Sequence, residues 1–306
     1  MIPCPASQVR LSPRGVLMAV EFHRTGILVM SHGTPESLDE IEDFYTKIRR
    51  GSPPPPHLLN ELISRYQAIG GLSPLREITF AQARNLAIAL GGAIPMAVGT
   101  KFSSPSIEQA IDSLALRGVN NIICIVMSPQ DASNDYFERA KLYTGATLTF
   151  LRSWHTNPHF LEFHANQIRT LLTSYPNAKV IFTAHSLPVA SKGVYCDQVS
   201  STANSIAQLL PNLNWTLAWQ SAGRTDQEWL GPDIRDVLRN INEDSVIVAP
   251  IGFASDNLET LYDLDIEAAG VAKECNIEFA RTHPPNSDLM VMASLAQELL
   301  ALIKHE

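Results

Sequence analysis

The sequence has few cysteines, and no two of them form a motif. Its 306 residues include four cysteines with no C-x-x-C pair: Cys4, Cys124, Cys196 and Cys275. Iron–sulfur clusters and cysteine zinc sites need closely spaced cysteines, so we expect neither. Scattered single cysteines are also typical of proteins that work in a reducing compartment.

No apolar run approaches the length of a membrane span. A transmembrane helix needs about 18 or more consecutive apolar residues, whereas the first apolar stretch, Val16–Val20, ends at Glu21. That stretch is also too short for the apolar core of a signal peptide. We therefore expect a cytoplasmic protein with no membrane span, in which residues 1–25 form a disordered N-terminal extension.

A net positive charge is also missing. The chain carries 23 Lys and Arg against 31 Asp and Glu, which gives a formal net charge of −8. A nucleic-acid-binding protein needs a basic surface to meet phosphates, so nucleic acid is not an expected partner. Neither G-x-G-x-x-G nor G-x-x-x-x-G-K-[ST] follows an apolar segment, which argues against dinucleotide and P-loop sites.

Short apolar segments alternate with amphipathic ones along the whole chain. Eight segments have the length and composition of strands: 26–32, 94–100, 121–128, 147–153, 178–185, 215–221, 245–252 and 276–282. Several are apolar without alternation, which is typical of strands buried on both faces of a parallel sheet. Helices are predicted between them, including 36–50 and 287–304, and the tetraproline Pro53–Pro56 predicts a stiff, non-helical surface segment. The pattern predicts an α/β fold.

One strand pattern occurs twice, 153 residues apart. Residues 27–35 (ILVMSHGTP) and 180–188 (VIFTAHSLP) each place a histidine at the end of an apolar strand. This predicts two similar doubly wound domains, each with a four-stranded parallel sheet flanked by helices. The first domain would comprise 26–150 plus 287–306, and the second 151–286. Because ligands bind at the carboxyl ends of parallel strands, His32 and His185 should face a cleft between the domains.

Three carboxylates recur every fourth residue near the C-terminal end of the second half. On a helix, Glu259, Asp263 and Glu267 would form one ridge, and no Lys or Arg occurs within 252–271 to neutralise it. One interpretation is a solvated helix face. The other is a path for a divalent cation, which prefers oxygen ligands. The residues alone leave both open.

Other histidines and bases have ordinary explanations. His155, His159 and His164 are badly spaced for one metal site, and we expect them at the surface. Lys47, Arg49, Arg50 and Arg65 concentrate positive charge near Tyr66. These bases either compensate helix dipoles or bind carboxylate groups of a ligand, for which the planar guanidinium is suited.

Four separate motifs resemble those of the ferrochelatase family. Thr183–Pro188 is similar to its histidine motif and Ala249–Asp263 to its glutamate motif. Arg65–Pro74 also matches, as does Trp219–Ser221 together with Trp229–Asp233. The similarity runs from about Gly26 to the C-terminus, with the motifs in the family's order.

The resemblance implies an enzyme that inserts Fe²⁺ into a free-base porphyrin in haem biosynthesis. His185 and Glu259 would be the catalytic pair, the imidazole accepting a pyrrole proton with its ordinary pKa near 6.5. Metal contacts would come from His185, Glu259, Asp263 and Glu267. The positions that match porphyrin contacts are His32, Arg49, Arg65, Tyr66, Ser73 and Tyr136.

Fe²⁺ would then be a substrate, and no permanently bound cofactor is expected. The chain resembles the short, soluble form of Gram-positive bacteria, whose substrate is coproporphyrin III. Those proteins often carry Tyr where His32 stands, and a histidine where Gln130 stands. We expect a monomer that contacts neighbouring haem-pathway enzymes or an iron donor only transiently. Three alternatives stay open: a protoporphyrin IX ferrochelatase, a chelatase for another tetrapyrrole and metal, and a non-catalytic tetrapyrrole carrier.

Overall fold

The computed structural model describes residues 24–131, 134–223 and 225–304. The predicted disordered extension, residues 1–25, lies outside the described residues except at its end, where Thr25 already begins the first strand. Within these described ranges, no helix is long and apolar enough to cross a membrane.

The first half of the chain forms a four-stranded parallel sheet in the order β2-β1-β3-β4. Its strands are β1 (Thr25–Ser31), β2 (Met96–Thr100), β3 (Asn121–Val126) and β4 (Thr147–Leu151). Its helices are α1 (Ile41–Ile48), α2 (Pro56–Ala68), α3 (Leu75–Ala89), α4 (Ile107–Ala115) and α5 (Asn134–Tyr143).

The second half repeats this topology in a second parallel sheet, ordered β6-β5-β7-β8. Its strands are β5 (Lys179–His185), β6 (Trp215–Gln220), β7 (Ser245–Ala249) and β8 (Glu278–Arg281). Helices α6 (Pro158–Leu172), α7 (Tyr195–Gln208), α8 (Ile234–Asn240) and α9 (Ala269–Glu274) flank it, and a π-helix spans Thr260–Ala268. The predicted fold class is therefore confirmed, and all eight strands form, most of them shorter than predicted.

The apolar character of the inner strands follows from their position. β1 is buried along its whole length and β5 along all but its two ends, because helices cover both faces of each sheet. His32 follows the last residue of β1, and His185 is the last residue of β5. Equivalent strands of the two sheets thus deliver the two histidines to the same place between them.

The C-terminal helix, α10 (Leu289–Lys304), packs on the first sheet, not the second. Its buried face contacts α3 and the apolar core around Trp154. The Asp288 carboxylate accepts hydrogen bonds from the backbone N–H groups of Met290 and Val291, so Asp288 caps the helix. The position of α10 is the one our domain boundaries require, although the boundaries themselves stay a prediction.

Three local predictions were wrong. The helix predicted over 36–50 is regular only over α1 and is preceded by a short 3₁₀ turn. Pro56 is helical, because proline fits the first position of a helix, where its missing N–H is not needed. His164 is not at the surface: it is fully buried in α6, packed edge-on against Phe160 and Phe163.

Candidate active site

A cleft of about 420 Å³ lies between the carboxyl ends of the two sheets. One wall comes from the first half and includes His32, Tyr66 and Tyr136. The opposite wall comes from the second half and includes His185 and Glu259. Most of the remaining lining surface is apolar, which suits a hydrophobic ligand that carries a few polar groups.

His185 and Glu259 contact each other in this cleft. The Nε2 atom of His185 lies 3.2 Å from Oε1 of Glu259, and both side chains are half-buried. On the other side of the ring, Nδ1 donates a hydrogen bond to the carbonyl of Ser186. This bond fixes a proton on Nδ1, so the proton that His185 can exchange is the one on Nε2.

The contact changes the charge of both groups. Desolvation by itself lowers the pKa of His185, but the negative charge and the hydrogen bond of Glu259 outweigh it and raise that pKa to about 9. Desolvation would raise the pKa of Glu259, yet the imidazolium of His185 holds it below its usual range. The resting pair is therefore an imidazolium and a carboxylate. This corrects our expectation of a resting neutral imidazole with a pKa near 6.5.

The contact depends on a close approach of two backbone segments. The N–H of Gly252 donates a hydrogen bond to the carbonyl of Thr183, which precedes Ala184 in β5. A Cβ at Gly252 would stand only 2.5 Å from the Cβ of Ala184, so a larger residue would push the loop away from β5. Glycine at this position thus brings the Glu259 loop up to His185.

A buried ion-pair network holds the segment that carries Glu259. The guanidinium of Arg281, at the end of β8, lies 3.1 Å from Asp256 before the π-helix and 2.5 Å from Asp265 within it. Asn286 donates a further hydrogen bond to Asp256 at 2.8 Å. Arg281 is 6% exposed. Loss of one partner would leave a buried charge unpaired, so the network holds the chain in place both before Glu259, at Asp256, and after it, at Asp265.

The remaining two carboxylates of the ridge are paired with bases from distant parts of the chain. Asp263 is buried, accepts a hydrogen bond from the hydroxyl of Ser221, and lies 3.5 Å from Nη1 of Arg65. Burial raises the pKa of Asp263 to about 6, so this carboxyl can hold or release a proton near neutral pH. Glu267 lies 3.9 Å from Arg65 and 3.4 Å from Arg235.

These pairs exclude the solvated-face interpretation of the ridge, since the bases that neutralise it come from α2 and α8. They also change the interpretation of Arg65. It lines a second cavity of about 280 Å³ on the other side of Glu259, and contacts the protein's own carboxylates there. In the described part of the chain, no three His, Cys, Asp or Glu side chains form a cluster that could hold a metal ion.

His32 lies in the cleft opposite His185 and Glu259. Its ring packs against Phe102 at a centroid distance of 4.8 Å and against Phe44 at 5.9 Å. Desolvation by these surroundings lowers its pKa, so His32 is neutral at pH 7, with a nitrogen lone pair free for a ligand or an acceptor role.

Only some of the other residues predicted to contact a ligand line the cleft. Tyr66, Ser73 and Tyr136 line the cleft, and the Tyr66 hydroxyl lies 3.3 Å from that of Thr34. Arg49 is not part of the lining, although its neighbours Tyr45 and Ile48 are. Gln130 is buried and donates to the carbonyl of Ile251, which joins the two halves of the chain beneath the cleft.

Several residues of the lining carry little signal in the sequence. Tyr195 begins α7, forms part of the cleft wall, and donates a hydrogen bond to the carbonyl of His185 at 3.1 Å. Met127 and Phe253 supply apolar surface. In the sequence, Tyr195 is marked only by its position ten residues after His185, at the end of β5. An apolar residue such as Met127 cannot be distinguished from a core residue by sequence.

The arrangement of two matched parallel sheets also occurs in solved structures of chelatases. SirB from Bacillus subtilis, solved with Fe³⁺, superposes with a TM-score of 0.59 at 10% identity, covering 90% of this chain and 94% of that one. CbiX, described as the terminal enzyme for biosynthesis of sirohaem in denitrifying bacteria, superposes with a TM-score of 0.55 at 13% identity, covering 90% and 98%. At such identities the likeness establishes the fold alone.

Sequence comparison defines the family within that fold. The family model named Ferrochelatase matches residues 24–301. Coproporphyrin III ferrochelatase 2 of Bacillus cereus is 36% identical over 303 residues, covering 92% of this chain and 95% of the relative. Coproporphyrin III ferrochelatase of Geobacillus kaustophilus is 36% identical over 299 residues, covering 90% and 95%. This chain belongs to the ferrochelatase family.

Proposed function

We propose that this chain is a ferrochelatase of haem biosynthesis that inserts Fe²⁺ into coproporphyrin III. Family membership supports the reaction, and the relatives, which are coproporphyrin III ferrochelatases, support the porphyrin. Fe²⁺ and the porphyrin are substrates, and no resident cofactor is required. The protein acts in the cytoplasm as a monomer, and contacts with neighbouring pathway enzymes or an iron donor are transient.

The observation that carries the proposal is the contact between His185 and Glu259 at the cleft. Metal insertion must remove two pyrrole protons and strip water from the ion. An imidazole suits the first task and a carboxylate the second, and here they stand 3.2 Å apart on the wall of a cavity with apolar sides. A pair in contact can couple the two tasks.

The charges of the pair give the order of events. While Glu259 is a free carboxylate, it holds a proton on Nε2 of His185, because the ion pair raises the pKa of the imidazole. A dication that reaches Glu259 cancels that negative charge, and the pKa of His185 falls. His185 then releases its proton to solvent and becomes the base that accepts the two pyrrole protons in turn, releasing the first before it takes the second. Metal arrival therefore activates the base.

Asp263 and Glu267 continue from Glu259 along the second cavity. They conduct either the cation or the pyrrole protons that it displaces between solvent and the pair of His185 and Glu259. Tyr66, Ser73 and Tyr136 contact the macrocycle from the first half, with His32 facing its metal position. Arg65 and Arg49 then influence the substrate through charge at the edge of the site, since neither lines the cleft.

An anaerobic insertion assay tests this function. Purified protein is mixed with Fe²⁺ and either coproporphyrin III or protoporphyrin IX, and loss of porphyrin fluorescence is followed. We expect insertion into coproporphyrin III, and a rate at least about 100-fold lower for His185→Ala and for Glu259→Gln with porphyrin binding retained. Glu274→Gln, an exposed carboxylate beyond the site, is the matched control. Absence of insertion into either porphyrin by the wild-type protein would refute the proposal.

The same assay separates the alternatives. Faster insertion into protoporphyrin IX would change the substrate but keep the reaction. Insertion of cobalt into a sirohydrochlorin, with none into a porphyrin, would indicate the other chelatase class of this fold. Porphyrin binding without any insertion would indicate a carrier. Zn²⁺ should also be inserted, because nitrogen ligands do not select Fe²⁺ over Zn²⁺ by intrinsic affinity.

A further inference from the structure

Arg235 belongs to none of the motifs that identify the family, yet it lies in the second cavity behind Glu259. It is the second residue of α8, and its guanidinium makes two contacts with Asp233, at 2.9 and 3.0 Å. The same guanidinium lies 3.4 Å from Oε2 of Glu267. Its side chain is 43% exposed, so it stands where the cavity meets solvent.

Glu267 is consequently held from two sides. Its Oε1 atom faces Arg65, which comes from α2 in the first half of the chain, at 3.9 Å. Its Oε2 atom faces Arg235, from α8 in the second half. Because each oxygen faces a guanidinium, a dication that approaches Glu267 meets the repulsion of two positive charges.

Arg235 also alters the charge of the whole cavity. The described lining contains four carboxylates, of Asp233, Glu259, Asp263 and Glu267, against the guanidiniums of Arg65 and Arg235. The lining is therefore net negative by two charges, and by three without Arg235. A concave, partly desolvated site amplifies such a difference for a doubly charged ligand.

We propose that Arg235 is a positioning residue that restrains Glu267 and sets the apparent affinity of the enzyme for its divalent cation. This inference rests on the proposed function and deepens it. Arg235 lowers cation occupancy of the second cavity at rest, and the cation displaces it from Glu267 on entry. Arg235 takes no part in proton transfer at the porphyrin.

Arg235→Gln tests this in the insertion assay, with Zn²⁺ as the varied metal because it does not oxidise. We expect the KM for the metal to fall about threefold to tenfold, from the loss of one charge near a dication at partly screened distance. The KM for porphyrin and kcat should change little. The difference in metal KM between Arg235→Gln and the wild-type protein should shrink as ionic strength rises. Salt screens interactions between exposed charges, with a Debye length of about 10 Å at 0.1 M.

Two variants make the result specific. Arg235→Lys keeps the positive charge and should keep the wild-type metal KM. Arg239→Gln removes an exposed arginine one turn further along α8, where it pairs with Asp236 outside the cavity, and should also leave the metal KM unchanged. Thermal unfolding of all three variants shows that each is folded, and calorimetric titration of Zn²⁺ without porphyrin measures the affinity directly.

An unchanged or raised metal KM in folded Arg235→Gln would overturn the proposal, because Arg235 would then be neutral toward the cation or assist it. Equal effects in Arg235→Gln and Arg239→Gln would overturn it as well, since they would reflect net charge alone. If the wild-type protein inserts no metal, the proposed function fails. If insertion occurs normally but the variants do not differ, only the role of Arg235 fails.

Discussion

Glu259→Gln is expected to convert His185 from an imidazolium to a neutral imidazole at pH 7. In the native pair the pKa of His185 is about 9, the carboxylate of Glu259 outweighing the desolvation that acts against the charged ring. The amide removes the carboxylate and leaves the desolvation in place, opposed only by the hydrogen bond to the Ser186 carbonyl and the charge of Asp263, so the pKa of His185 should fall towards its ordinary value near 6.5. With a pKa of 6.5, the protonated fraction at pH 7 would drop from about 99% to about 25%.

The change can be followed by NMR of ¹⁵N-labelled histidine as a function of pH. His185→Gln assigns the resonance, and Glu274→Gln serves as a control in which the titration of His185 should be unaltered. A His185 pKa that remains near 9 in Glu259→Gln would refute the reasoning, because the ion pair would then not be its cause. Addition of Zn²⁺ to the wild-type protein should move the pKa in the same direction as the amide does, since both remove the same charge.

Three further outcomes follow from the geometry. Burial lowers the pKa of His164 to about 3, so below pH 6.5 the unfolded chain binds a proton that the folded chain does not. The free energy of unfolding therefore decreases as the pH falls from 6.5 towards 3, by about 2 kcal/mol at pH 5 relative to pH 8. Urea unfolding should show this loss in the wild-type protein but not in His164→Leu. His32→Ala should weaken binding of the iron porphyrin and change its Soret spectrum with little effect on metal-free porphyrin, whereas an unchanged spectrum would exclude axial ligation by His32. Glu267→Gln should mainly raise the KM for metal, and a loss of kcat as deep as that of Glu259→Gln would contradict a graded path.

The strands were predictable because their signal is local. Each of the eight apolar runs corresponds to a strand, and the inner strands β1, β3, β5 and β7 are largely buried by helices. The repeated pattern at His32 and His185 marks equivalent strand ends of two sheets with one topology. The ends of the strands were harder to predict. The apolar run 245–252, for example, continues past the end of β7 at Ala249 into the loop at Gly252, and this loop is apolar because it packs against β5.

The site was predictable in its residue types but not in its electrostatics. The histidine and glutamate motifs indicated the pair, while the partners of the ridge could not be inferred, since Arg65 meets Asp263 across 198 positions of sequence. The same holds for His164: a histidine in an amphipathic helix is usually exposed, and only the tertiary packing of α6 buries both ring nitrogens without a hydrogen-bond partner. Contacts between distant segments decide both cases.

Glu259 belongs to the lining of both cavities, so in the proposed reaction one carboxylate would be able to contact both substrates. Leu62 and Leu258 share that position, so an apolar edge surrounds the carboxylate where the porphyrin cleft and the acidic cavity meet. A flat macrocycle that fills the cleft closes one side of Glu259 and leaves the acidic side for the cation. The porphyrin can therefore bind first without blocking the metal. In the proposed reaction His185, which lines the cleft but not the acidic cavity, would then respond to the cation through the charge of Glu259.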